Sequence, residues 1–277
     1  MHLTRYLLQF EVLTDCVLPG HLGSLIRGLW GEVMKGYDTE LYQRFFNPQI
    51  DMSNPAYKYV SNNPPPPFMI RVHKTHEYLR QGATFNLTFT LFGNYSKYWI
   101  QLNDIWALIT TGNPNAYHLK LKLKEFKPLT CPVTGNVLFD YKDYTGIKPE
   151  KNNYTFDFKS PFALNHNQQL IADFSFDRFF GYIYRRLFIL DAIYGNKSME
   201  EKYVKDIIRN IHPVSIDLRH ITIYRSPSRQ DKYPMRNWQG KIRYTGDFSK
   251  SYPIIKYGEY LHTGANTVFG FGKYVLK

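Results

Sequence analysis

Two periodicities alternate along the first 128 residues in a fixed order, and that order leaves few folds open. Leu3 to Leu13 alternates apolar and polar side chains as a strand does, and Cys16-Val17-Leu18-Pro19-Gly20 breaks it. From His21 to about Lys35 the period becomes helical. Leu22, Ile26, Leu29, Trp30 and Val33 fall on one stripe, while His21, Ser24, Gly28 and Gly31 fall on another flank. Glycine costs a helix roughly 1 kcal/mol relative to alanine, so this small-sided flank implies close approach by another part of the chain, plain packing against a second domain included. Asp38 to Phe46 reads as a short helix, and Asn47 to Pro67 as a surface excursion rich in Pro and Asn. Phe68 to Val72 and Thr84 to Phe92 are strand-like. Tyr98 to Thr111 is helical, with Trp99, Leu102, Ile105, Trp106 and Ile109 on one face, and Tyr117 to Phe126 alternates again. The order β-α-β-β-α-β predicts a ferredoxin-like unit. In the last of these strands Lys120, Lys122 and Lys124 share one face, which fits either a solvated edge or a surface for a polyanion.

Pro128 to Glu150 carries turn residues and no sustained period. The expected division is an N-terminal domain over 1–128, a linker over 129–149 and a C-terminal domain over 150–277. The second domain repeats the order: a strand at Tyr154 to Phe158, a helix from about Asp173 to Tyr194 with a further helix to Asn210, strands at Val214 to Tyr224 and Lys241 to Thr245, a helical piece near Tyr257 to Leu261, and a final strand. The two halves show no direct sequence repeat.

The charge balance points outward. The chain has 35 Lys and Arg against 23 Asp and Glu, and residues 201–277 alone hold 14 against 6, so +8 of the net +12 sits in the last quarter. Such a field favours a polyanionic partner, nucleic acid or an acidic membrane surface. The 23 Tyr, 20 Phe and 4 Trp offer flat faces on which unpaired bases stack, although most such rings belong to cores. Two cysteines far apart, Cys16 and Cys131, argue against a disulfide framework or a cysteine zinc site. Neither a signal peptide nor a membrane-spanning run is recognisable, so the expected home is the cytoplasm, with no membrane partner. No Asp, Glu and His cluster has metal-ligand spacing, and His73-Lys74-Thr75-His76 is an isolated pair; no metal and no cofactor is expected.

The chain ends on GEYLHTGANTVFGFGKYVLK, Gly258 to Lys277. Gly264, Gly270 and Gly272 flank a polar turn containing Asn266 and Thr267. A glycine-rich loop of this kind presents backbone N–H groups to phosphate or simply makes a tight turn before the last strand. With His262 before the first glycine and Phe269-Gly270-Phe271-Gly272 before the strand, it resembles the C-terminal glycine-rich loop of the RAMP superfamily of CRISPR-associated RNA-binding proteins. Its form is most similar to the CRISPR RNA-processing endoribonucleases of that superfamily. Gly23-Ser24-Leu25-Ile26-Arg27-Gly28 resembles the family's first-helix motif. Pro67-Phe68-Met69-Ile70 and Thr88-Phe89-Thr90-Leu91-Phe92-Gly93 resemble the middle of its N-terminal domain. Phe158-Lys159-Ser160-Pro161, Tyr184-Arg185-Arg186-Leu187, and the stretches Tyr224 to Gln230 and Gly240 to Asp247 resemble its C-terminal domain.

The resemblance implies an α+β fold of two tandem ferredoxin-like, RRM-like domains. It also implies metal-independent cleavage of CRISPR repeat RNA in precursor transcripts, by attack of a 2′-OH that leaves a 2′,3′-cyclic phosphate and a 5′-OH. A non-catalytic RAMP subunit holding guide RNA in an effector complex is the alternative. The implied partners are precursor CRISPR RNA and other CRISPR-associated proteins, and the implied state is a monomer or homodimer. This chemistry needs a base, an acid and charge stabilisation at phosphorus, and histidine suits the first two near neutral pH. His21, at the start of the first helix, is the leading candidate; His262 in the loop is a possible acid or phosphate contact, and Tyr37 a substitute base. The family often carries a histidine further along this helix, where this sequence has Glu32. For RNA contact the candidates are Arg27, Arg225, Arg229, Arg236, Lys241 and Arg243 with Gly264, Asn266, Thr267, Gly270 and Gly272.

Overall fold

The computed structural model describes residues 1–17, 21–60, 63–73, 78–109, 119–166, 169–197, 199, 207–208, 210–223 and 234–277. In the N-terminal half, β1 (Leu3–Val12), α1 (Leu22–Tyr37), α2 (Thr39–Phe46), β2 (Phe68–Val72), β3 (Thr84–Phe92), α3 (Trp99–Leu108) and β4 (Leu121–Leu129) follow in the expected order. The strands form one antiparallel sheet, β2-β3-β1-β4. Alternation along β1 decides its two faces. Tyr6, Leu8, Phe10 and Val12 are buried in the helix-side core, while Arg5, Leu7, Gln9 and Glu11 are half-buried on the other face. Trp30 of α1 centres that core, stacked 5.2 Å from Trp106 and edge-on to Phe45, Phe68 and Phe89. Removing so large a buried ring costs about 3–5 kcal/mol. The strand β4 lies at the sheet's edge. Its lysines face water, with Lys124 paired to Glu11 and Lys127 to Glu125.

The C-terminal half repeats the plan with β5 (Asn153–Phe158), α4 (Phe176–Tyr194), β6 (His212–Ile223), β7 (Met235–Thr245), α5 (Tyr252–Leu261) and β8 (Tyr274–Leu276). Its sheet runs β6-β7-β5-β8, again with the second, third, first and fourth strands of the unit in that order. Two tandem ferredoxin-like domains therefore share one topology without sharing sequence. The helix expected to run to Asn210 falls largely outside the described residues.

The stretch read as a linker is built into the molecule. Leu3 and Phe139 exchange backbone hydrogen bonds, and Cys131, Phe139 and Tyr144 are buried in the C-terminal core. Met1, Leu3, Met69 and Phe92 reach into the same core from the other side. At this seam the α-amino group of Met1 lies 2.8 Å from Asp191 Oδ1, with both groups buried, and the Tyr257 hydroxyl donates to the Met1 carbonyl.

Candidate active site

The glycine-rich stretch leaves the end of α5 and crosses from the C-terminal domain onto the N-terminal one. Arg186 of α4 donates from Nε to the carbonyl of Leu261, fixing the point of departure. His262 then adopts φ 61°, a positive value uncommon outside glycine. Further along, Gly270 has φ +85°, and a Cβ there would lie 2.7 Å from Cα of Arg71 on β2. Only glycine fits that approach. Inside the loop the N–H groups of Thr263, Ala265, Phe269, Gly270 and Gly272 donate to carbonyls of Gly272, Ala163, Asn266, Thr267 and Pro161. Those amides shape the loop, so a phosphate has to be met by other groups on it.

On its outer side the loop lies on the first turn of α1. The carbonyl of Phe269 would stand 2.4 Å from a Cβ on Gly23, and Gly31 packs against the ring of Phe46, whereas Gly28 has nothing within 4 Å. Close approach thus explains Gly23 and Gly31, and Gly28 borders open space. His21, the residue preceding α1, is half-buried, its ring centroid 4.3 Å from that of Phe271 and 6.1 Å from Phe269. The guanidinium of Arg27 lies 4.9 Å from the Phe46 ring and 5.6 Å from Phe269. His21, Arg27 and the loop therefore come together. Tyr37 does not join them: it is 48% exposed at the far end of α1, roughly 24 Å along the helix from His21.

The inner side is buried. His262 is 3% exposed, and its Nδ1–H donates to the Phe271 carbonyl at 3.0 Å. Burial, reinforced by Lys273 and Arg71, pushes its pKa well below the usual histidine range, so the ring is neutral. Around it lie Arg5 of β1, Arg71 of β2, Glu259 and Tyr260 of α5, and Lys273. Burial, partly offset by Glu259 and aided by Arg5 and Arg71, lowers Lys273 to about 7. His73, whose Nε2 meets the Thr88 hydroxyl at 2.9 Å, is lowered to about 4 by burial and the same two arginines. Sequence reading did not pick out Arg5, Arg71 or Lys273 as a group. Each is a lone cation among apolar neighbours, and only the sheet register and the returning loop bring them together.

Of the basic residues on the second sheet, Arg236, Lys241 and Arg243 are exposed on β7, and Arg243 donates to Asn153 Oδ1. Strand alternation puts Lys241 and Arg243 on one face and Arg236 on the other. Phe162 pairs with Trp238 of β7, and the next residue, Ala163, accepts from Ala265, which ties this strand to the loop. Arg225 and Arg229 lie outside the described residues. Among the described residues no three His, Cys, Asp or Glu side chains gather as a metal-binding group, and no helix is long and apolar enough to cross a membrane.

The family described as CRISPR-associated endoribonuclease Cas6 matches residues 156–274, and a family of N-terminal domains matches residues 1–129. No curated protein sequence matches the chain. Among solved structures, a Cas6 product complex superposes with a TM-score of 0.64 at 13% identity, covering 99% of this chain and 100% of that one. Thermus thermophilus Cas6 gives 0.59 at 12%, covering 99% and 98%. A structure described as a RAMP protein binding different RNA substrates gives 0.53 at 12%, covering 99% of both. Those likenesses establish the fold, while the family match falls on the domain that carries the glycine loop. Residues 156–274 match the Cas6 CRISPR-associated endoribonuclease family, and the chain as a whole has the fold of the Cas6 and RAMP structures.

Proposed function

We propose that the chain binds CRISPR repeat RNA and cuts it without a metal ion, using the RNA's own 2′-OH as nucleophile and His21 as general base. His21 takes the 2′-OH proton, the 2′ oxygen attacks the adjacent phosphorus, and the P–O5′ bond breaks. The 5′ oxygen leaves with a proton from water, and the products carry a 2′,3′-cyclic phosphate and a 5′-OH. Arg27, about 9 Å along α1 from His21, is a cation on the same side for the charge that develops on phosphorus.

The observation that carries this reading is the seating of His21 between the start of α1 and Phe271 of the loop, half-buried, on a helix whose Gly28 borders open space. In this reading His262 has a different part. Buried, neutral and spent on the Phe271 carbonyl, it holds the residue on which His21 rests. The lysines and arginines of β7, with Asn266 and Thr267 of the loop, extend the RNA-binding surface in this proposal.

The test is repeat RNA incubated with purified protein in excess EDTA. One discrete cut ending in a cyclic phosphate is expected, and no cut when the nucleotide 5′ of the scissile bond carries a 2′-deoxy sugar. Loss of cleavage in EDTA, or cleavage of the deoxy substrate, defeats the mechanism. Binding without any cut returns the chain to the role of a guide-holding subunit.

A further inference from the structure

The planar cation of Arg27 is met by aromatic rings from two separate parts of the chain. Its guanidinium carbon lies 4.9 Å from the ring centroid of Phe46, at the end of α2, and 5.6 Å from that of Phe269, in the glycine loop. Two glycines make room for these contacts. Gly23, Arg27 and Gly31 stand four residues apart and so share one face of α1. A Cβ on Gly23 would lie 2.4 Å from the Phe269 carbonyl oxygen, and one on Gly31 would lie 2.9 Å from Cε1 and Cζ of Phe46. A side chain at either position would displace the loop or the ring.

Phe46 is held firmly. Asp38 alone joins α1 to α2, and its carboxylate accepts from the Leu41 amide at 2.9 Å, so α2 starts at once and brings its last residue back to α1. There Phe46 stacks on Tyr42 at 4.8 Å with 13° between the planes, and it also meets Trp30 at 5.4 Å and Phe68 at 5.2 Å. A guanidinium laid against such rings keeps its N–H groups at the rim of its plane and gives up rotational freedom before any ligand arrives. Its fork is then set to donate paired hydrogen bonds to an oxyanion. We propose that Phe46 is a positioning residue for cleavage, holding the Arg27 guanidinium in place for the phosphorane oxygens that form beside His21. This rests on the cleavage mechanism given under Proposed function and adds the residue that orients its cation. Phe46 acts through Arg27 and lies outside both the glycine loop and the first-helix stretch Gly23 to Gly28.

The test is a double-mutant cycle between Phe46→Leu and Arg27→Met. It is read in single-turnover cleavage at saturating protein and in affinity for a repeat RNA blocked by a 2′-deoxy sugar at the cut. Phe46→Leu should slow cleavage roughly 10- to 100-fold with affinity little changed, and Phe46→Tyr, which returns the ring, should cut near the wild-type rate. In the Arg27→Met background Phe46→Leu should have no further effect. Equal slowing in both backgrounds, or an affinity that falls as far as the rate, would overturn the proposal. Arg27→Lys asks the same question without touching the aromatic cluster: it keeps the charge but has no planar fork to orient, so it should cut nearly as slowly as Arg27→Met. A wild-type rate in Arg27→Lys would overturn the proposal even if Phe46→Leu failed to fold. If His21→Ala is slow while Phe46→Leu and Arg27→Lys cut like wild type, the positioning role is wrong and the nuclease reading stands. If wild type itself does not cut, both fall.

Discussion

The two sides of the glycine loop meet one histidine each, and the histidines end up in opposite circumstances. On the outer side His21 is half-buried and rests its ring on Phe271. On the inner side His262 is enclosed by Arg71, Lys273 and Arg186, and its Nδ1 is committed to a carbonyl. Residue type alone made both candidates for acid–base work. Burial separates them: His262 is enclosed and already bonded to a carbonyl, while His21 keeps part of its surface exposed.

The sharpest way to break this contrast is His21→Ala. Single-turnover cleavage should fall roughly 10²- to 10⁴-fold with RNA affinity little changed, since a general base acts mainly in the transition state. Cleavage at the wild-type rate would move the chemistry off the outer side. A middle-sized effect is expected at Gly270→Ala, where the backbone is left-handed and the new methyl meets β2. Stability should drop by about 1–3 kcal/mol in urea unfolding, and cleavage should weaken as Phe271 shifts under His21. Gly28→Ala is the control: with nothing within 4 Å, it should gain up to about 1 kcal/mol, and a loss of RNA affinity there would mark the flank as occupied by substrate.

The inner histidine should declare itself through pH. Its folded pKa is depressed, so between that value and the unfolded value of about 6.5 the unfolded chain binds more protons. Stability attributable to His262 is therefore complete above about 6.5 and is lost as pH falls below it. In His262→Asn that acid-side slope should flatten, and the slope that remains should include His73, which is lowered to about 4. An unchanged slope would mean that His262 is not held neutral. The smallest effects belong to the exposed cations of β7. Arg236→Ala and Lys241→Ala should each make the salt dependence of RNA affinity shallower by roughly one unit, and if only one does so, the face that it occupies is the one that RNA follows.

Much of the fold was legible because β1 and α1 each carry one clear period over eight residues or more, whereas in α3 Trp99, expected on the buried face, is 48% exposed. The buried Tyr6, Leu8, Phe10 and the stripe Leu22, Ile26, Trp30 are local patterns. The glycine loop was legible as a motif, and His21 meets it in space. What stayed hidden was non-local. Arg5 and Arg71 come together through strand pairing across β3, and Lys273 through a return of the chain more than 200 residues later. The span over 129–149 has no period because it contributes isolated anchors, Phe139 and Tyr144, to another element's core. An aperiodic stretch and a detached stretch read alike in sequence.

That shared core bears on how the chain folds. With Met1, Leu3, Met69 and Phe92 packed among C-terminal residues, and Leu3 bonded to Phe139, neither domain closes its apolar surface alone. β1 completes its packing only with contacts made by residues of the C-terminal domain. Unfolding should accordingly follow one cooperative transition for both domains, and each half expressed separately should bind hydrophobic dyes or aggregate until the other is supplied. Such interlocking also joins the two sides of the loop to one shared core, so that neither side shifts without disturbing the packing of the other domain.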